Sequence, residues 1–163
     1  MQVSTPVTHL IQQARHGVLR RRVDEIARLI GLSDKEMAHI LNMSVRSLHG
    51  KMDSERLSLA ASERLLLLER LINHALHTFD GRAELVNRWL HTPLAELSYS
   101  EERVSEASPL QAMGSFQQPS TTYTPTEKTS DDIPQSPLAI LDTVSGFSLA
   151  EDVLGRIEWG ILG

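Results

Sequence analysis

Cysteine is absent from the chain of 163 residues, which excludes disulfides and thiolate metal sites and fits a reducing cytosol. No apolar run approaches the roughly 20 residues needed to cross a bilayer. Residues 1–17, MQVSTPVTHLIQQARHG, lack the charged-then-apolar order of a signal peptide. The expectation is a cytoplasmic protein with no membrane contact. Catalytic signatures are missing as well. There is no Gly-rich phosphate loop and no Gly-x-Ser-x-Gly elbow, and the carboxylates form no evident pair. His74 and His77 stand one helical turn apart without a third ligand at sensible spacing, so they read as polar-face histidines rather than a metal pair. No enzyme, metal or cofactor is expected. A large basic excess is lacking too. Residues 1–97 hold 13 Lys and Arg against 11 Asp and Glu, and residues 98–163 hold 3 against 10. The front is too weakly basic for blanket coating of nucleic acid, so a DNA contact has to be focused on one face and repeated in a dimer.

What the chain does have is one long apolar helix. Residues 59–79, LAASERLLLLERLINHALHTF, contain no Gly or Pro and are dominated by residues that lose little on entering a helix. Ser58 stands as the cap, and Gly81 follows the end. Leu65, Leu68, Ile72, Ala75 and Phe79 form one stripe, which Leu67, Leu71 and Leu76 widen. Glu63, Arg70, Asn73 and His77 leave only a narrow polar strip. A helix this apolar needs more than one neighbour, and it reads as a spine shared by an N-terminal and a C-terminal module. The expected class is all-α, with residues 1–58 as one module and residues 59–163 as the other.

Ahead of the spine, Thr5-Pro6 reads as a helix start, and Gly17 and Gly31 end two helices, the second over residues 18–30. Arg20, Arg21 and Arg22 near its start are read either as a solvated basic face or as a phosphate clamp. Ser33–Glu36 is a capping box. A short helix to Leu41, a turn at Asn42 that needs a left-handed residue, and a helix over residues 45–52 capped by Ser44 together make a helix-turn-helix candidate. Its second helix offers Ser44, Arg46, Ser47, His49 and Lys51 and contains no acid, as a DNA recognition helix does. Behind the spine, a helix over residues 82–91 buries Trp89 and stops at Pro93. Residues 98–134 read as a flexible insertion, because a stretch rich in Ser, Thr, Gln and Pro buries too little to offset its ordering entropy. Val104, Leu110, Met113 and Phe116 within it suggest a weak helix or a partner-binding segment, against a plain surface loop. Ser136-Pro137 then starts a short helix ending near Gly146, and Ser148–Glu151, a second capping box, opens a last helix over residues 149–159.

Trp89-Leu90, Pro93 and Leu97, then Pro137-Leu138, Ile140-Leu141, Thr143 and Gly146, then Leu154, Arg156-Ile157-Glu158 and Gly160 follow one pattern. It resembles the toxin-binding domain of the Xre/MbcA/ParS antitoxins, and the half ahead of it is similar to that family's Xre-like DNA-binding half. Two departures stand out: the long insertion replaces a short connection, and Gln135-Ser136 replace the Gly usual before the Pro-Leu pair. The resemblance implies an antitoxin that covers the active site of a RES-domain toxin consuming cellular NAD. Repression of its own operon through the helix over residues 45–52 is expected with it, by a homodimer, because one short recognition helix with so little net charge binds operator DNA weakly. The implied toxin-binding surface is Arg156, Trp159, Ile161, Leu162 and Gly163. Those apolar residues either anchor an interface or fold back on the spine. Two other readings stay open: a stand-alone transcription regulator with a C-terminal dimerisation module, and an adaptor that no longer binds DNA.

Overall fold

Leu65, Leu68 and Leu71 are fully buried at the centre of one helix, and the other elements are arranged around them. The computed structural model of the chain describes residues 6–99 and 133–160. In order these are α1 (Val7–His16), α2 (Arg21–Ile30), α3 (Asp34–Ile40), α4 (Val45–His49), α5 (Leu59–Thr78), α6 (Ala83–His91), β1 (Leu94–Tyr99), β2 (Ile133–Gln135), α7 (Pro137–Ile140) and α8 (Val144–Glu158). The fold is all-α with one small antiparallel ribbon. α5 is the expected spine: α1, α6 and α8 all pack on it. One continuous core runs from Val23 in α2 to Leu154 in α8. At positions such as Leu65, a Leu→Ala cavity costs about 2–5 kcal/mol.

The N-terminal half differs from expectation at the start of α2. Val18 and Leu19 are not helical. They run beside residues 55–57, with Leu19 bridged to Arg56, the Leu57 N–H donating to the Val18 carbonyl at 2.8 Å and the Val18 N–H donating to the buried Ser62 Oγ at 2.9 Å. These bonds fasten the segment to the start of the spine, and helix begins only at Arg21. Pro6 sits just outside α1 rather than in its first turn; Thr5 lies outside the described residues.

The C-terminal half departs more. β1 and β2 take both ends of the expected insertion, so Ser98, Tyr99, Ile133 and Pro134 belong to strands. Residues 100–132, including Val104, Leu110, Met113 and Phe116, lie outside the described residues. Leu94 pairs with Gln135 and Tyr99 with Ile133, so β1 bulges between its paired ends. Pro134 is tolerated because either strand of a two-stranded ribbon has an open edge.

Beyond the ribbon, the helix boundary near Gly146 is replaced by a single helix from Val144. Thr143 caps it, its Oγ1 accepting from the Gly146 N–H at 3.0 Å, so the Ser148–Glu151 box is not used. Gly146 is a close approach and not a stop. A Cβ there would fall 1.7 Å from the Ile140 carbonyl oxygen, and only Gly lets α8 fold back so tightly on α7. Arg64 of the spine donates to the Asp142 carbonyl in the same turn.

Candidate DNA-binding and partner-binding surfaces

α3 and α4 form the helix-turn-helix. The Ser33–Glu36 capping box is complete, with the Ser33 N–H donating to Glu36 Oε2 at 2.7 Å. Asn42 takes φ 53°, as the turn requires, and the Met43 N–H donates to the Ala38 carbonyl at 3.0 Å. Ser44 caps α4 by accepting from the Ser47 N–H at 3.0 Å, and its hydroxyl donates to Ser47 Oγ at 2.8 Å. α4 ends at His49, so Lys51 lies just past the helix, half-buried. Leu48 is its one buried residue; Arg46, Ser47 and His49 are exposed. The structure therefore brings Ser44, Arg46, Ser47 and His49 to one exposed end of the pair. It also adds an acid that the helix itself lacks. His49 Nε2 is 2.7 Å from Asp34 Oδ2 of α3, and both side chains are exposed. An exposed pair of this kind contributes little to stability, but Asp34 competes with any anion for His49.

The three arginines do not act together. Arg20 is buried. Its Nε donates to the Leu48 carbonyl at 2.9 Å, and its Nη1 lies 2.8 Å from Asp24 Oδ1, close enough to pair as charges though not aligned to donate. It closes the last turn of α4 from inside and is not a phosphate clamp. Arg22 is held between Glu25 of α2 and Glu69 of α5. Arg21 is exposed, and no ion pair of it is found among the described residues. Of the three, it alone is free to meet a phosphate. The sequence signal for Arg20 is the acid four residues on, Asp24, which is the spacing of a pair along one helix face.

The far end of α8 carries the second surface. Gly146, Phe147, Ala150, Val153 and Leu154 turn inward. Arg156 is exposed one turn before Trp159, which is 79% exposed. Trp159 does not fold back on the spine. Ile161, Leu162 and Gly163 lie outside the described residues. Trp89, by contrast, is in the core, its ring centroid 6.4 Å from that of Phe79. Among the described residues, no group of three or more His, Asp or Glu side chains is arranged to hold a metal ion, and no helix is long and apolar enough to cross a membrane.

Residues 9–70 match the family model described as the antitoxin Xre-like helix-turn-helix domain. That stretch is similar to this domain, and α3 and α4 within it are its helix-turn-helix. No curated protein matches the chain. The matched stretch takes in most of α1, all of α2 to α4 and the first part of the spine, and α5 continues beyond it to meet α6 and α8. Residues behind the spine also grip it directly. Asn87 of α6 donates to the Ile30 and Gly31 carbonyls at 3.0 and 3.2 Å, capping the end of α2. His39 of α3 lies 3.3 Å from the Ala139 carbonyl of α7 through its Nε2. His91 at the end of α6 places its Nε2 2.5 Å from Glu36 Oε1, the free oxygen of the Xre-like domain's capping box. The Glu36 contact and the Asn87 carbonyl, overcoming partial burial, hold the His91 imidazolium above the ordinary histidine range. At Glu36 burial opposes the charge, but the Ser33 N–H and His91 outweigh it, and the carboxyl sits below the usual range.

Proposed function

We propose that this chain is the antitoxin of a toxin–antitoxin pair. It binds operator DNA through α4 as a homodimer and represses its own operon. It neutralises a RES-domain toxin that consumes NAD, covering the entrance to that toxin's active site with the end of α8 and the residues after it. It is a binding protein and catalyses nothing itself. The match of residues 9–70 to a helix-turn-helix domain of antitoxins carries this reading. The C-terminal pattern from Trp89 to Gly160 supports the toxin class. Trp159 supports the surface: it is a large aromatic held in solvent at the end of a helix whose core face is already covered, which is the profile of an interface anchor. The shortness of α4 supports the homodimer: it spans only Val45–His49 and offers few cations, too little for one copy to hold an operator tightly.

The test is cellular NAD after induction of the adjacent gene, with and without this protein. Collapse alone and preservation on co-expression is the expected result. NAD that never moves removes the RES toxin and favours the stand-alone regulator. Deleting residues 159–163 should abolish neutralisation and spare DNA binding; full neutralisation by the truncated chain removes that segment from the interface.

A further inference from the structure

His74 and His91 share a feature that His49 lacks: both ring nitrogens face acceptors. His74, on the spine, lies between two carboxylates of α8, with Nδ1 2.6 Å from Glu151 Oε2 and Nε2 3.1 Å from Glu158 Oε2. His91, on α6, has Nδ1 2.7 Å from the Asn87 carbonyl and Nε2 2.5 Å from Glu36 Oε1. A neutral imidazole owns one N–H and can satisfy only one of two such acceptors; the imidazolium satisfies both. Each ring also spans a boundary of the C-terminal module. His74 joins the spine to α8, and His91 joins α6 to the first helix of the helix-turn-helix.

We propose that His74 and His91 are protonation-dependent latches, His74 fastening α8 to the spine and His91 fastening α6 to the helix-turn-helix, and that α8 loosens as His74 loses its proton.

The charged surroundings support one direction. Around His74, α8 presents Glu151 and Glu158, and the spine presents His77, whose Nε2 is 3.7 Å from the other Glu158 oxygen. Around His91, α3 presents Glu36. Among the described residues, no Lys or Arg pairs with any of these three carboxylates. Partial burial disfavours the His74 charge, yet Glu151 and then Glu158 outweigh it, and the imidazolium is held above the ordinary value. A folded-state value raised in this way gives stabilisation that is complete below the ordinary pKa of 6.5 and is lost as pH rises through the raised value. Once neutral, His74 leaves one of two neighbouring carboxylates facing a lone pair. The loss falls on the helix that bears Trp159, but the latch belongs to this chain alone and stands whatever partner α8 meets.

The experiment uses the full chain without partner or DNA. Ring NMR of the histidines gives their titration, and amide hydrogen exchange along α8, corrected for the intrinsic pH dependence of exchange, gives its opening from pH 6 to 9. The expected result is that His74 and His91 titrate above 6.5, and that α8 protection falls across that range in the wild type but stays flat in His74→Gln. Glu151→Gln keeps the ring and removes the negative charge beside Nδ1, so it should lower the titration of His74 and flatten the same dependence; it also serves if His74→Gln fails to fold. Titration of both histidines at or below the ordinary value overturns the proposal, as does α8 protection that does not change with pH in the wild type.

Discussion

Arg20 gives the sharpest separation between a residue that holds α4 in place and one that would meet DNA under the proposed function. Arg20→Ala removes the buried Nε–H donor to the Leu48 carbonyl and the charge beside Asp24. A buried bond from a charged donor contributes about 1.5–3 kcal/mol, and the Leu48 carbonyl is left with only the long bond from the Lys51 N–H, at 3.4 Å. With the packing of the lost stem added, the expected cost is about 2–4 kcal/mol of folding stability. The assay is urea unfolding, run beside operator titrations at several salt concentrations. Arg20→Ala should lower stability and leave the slope of log K against log salt unchanged, because Arg20 neutralises no phosphate. Arg21→Ala is the opposite case. Arg21 is exposed, so its loss should stay within about 0.5 kcal/mol of wild-type stability and reduce the salt slope by about 0.9 if it meets one phosphate. An Arg20→Ala protein of unchanged stability and shallower salt slope would refute the assignment.

Gly146→Ala should be among the costliest single-methyl changes in the chain, since its Cβ would fall 1.7 Å from the Ile140 carbonyl oxygen; a loss of about 3 kcal/mol or more is expected in urea unfolding. Arg46→Ala with Lys51→Ala should weaken operator binding in gel shift by at least the roughly 1–3 kcal/mol of one good base contact. Operator binding that survives the double change unweakened removes α4 from DNA recognition. Trp159→Ala should leave the unfolding midpoint in place, because the ring is 79% exposed. By calorimetry it should cost about 2 kcal/mol of partner affinity, roughly 30-fold in Kd.

Much of the framework is legible in the sequence because its signals are local. The apolar stripe of the spine, the Ser33–Glu36 box, the left-handed Asn42 and the Ser44 cap each need only a few neighbouring residues to be read, and each stands as read. The misreadings come where a distant segment decides. Gly146 looks like a helix stop until Ile140 is seen against it. Arg20 looks like surface charge until the Leu48 carbonyl is found above it. β1 shows no alternation because it bulges between Leu94 and Tyr99, and its partner strand begins only at Ile133. The histidine latches were half visible: the spine has a polar strip with two histidines, and α8 has glutamates two turns apart at 151 and 158. Nothing local says that the two strips face each other.

The same distinction explains how so short a helix as α4 can present a fixed surface. Five residues do not hold a helix in water, where the nucleation cost outweighs the few bonds formed. Its geometry is imposed from outside. Leu48 fixes its inner face, the Ser44 hydroxyl its start and the Arg20 guanidinium its end. Arg20 is itself held by Asp24 on α2, whose C-terminus is capped by Asn87 of α6. α3, the other neighbour of α4, shares its capping carboxylate with His91 of the same helix α6. The orientation of Arg46 and Ser47 is thus inherited from the core and from α6, and little of it comes from the helix that bears them.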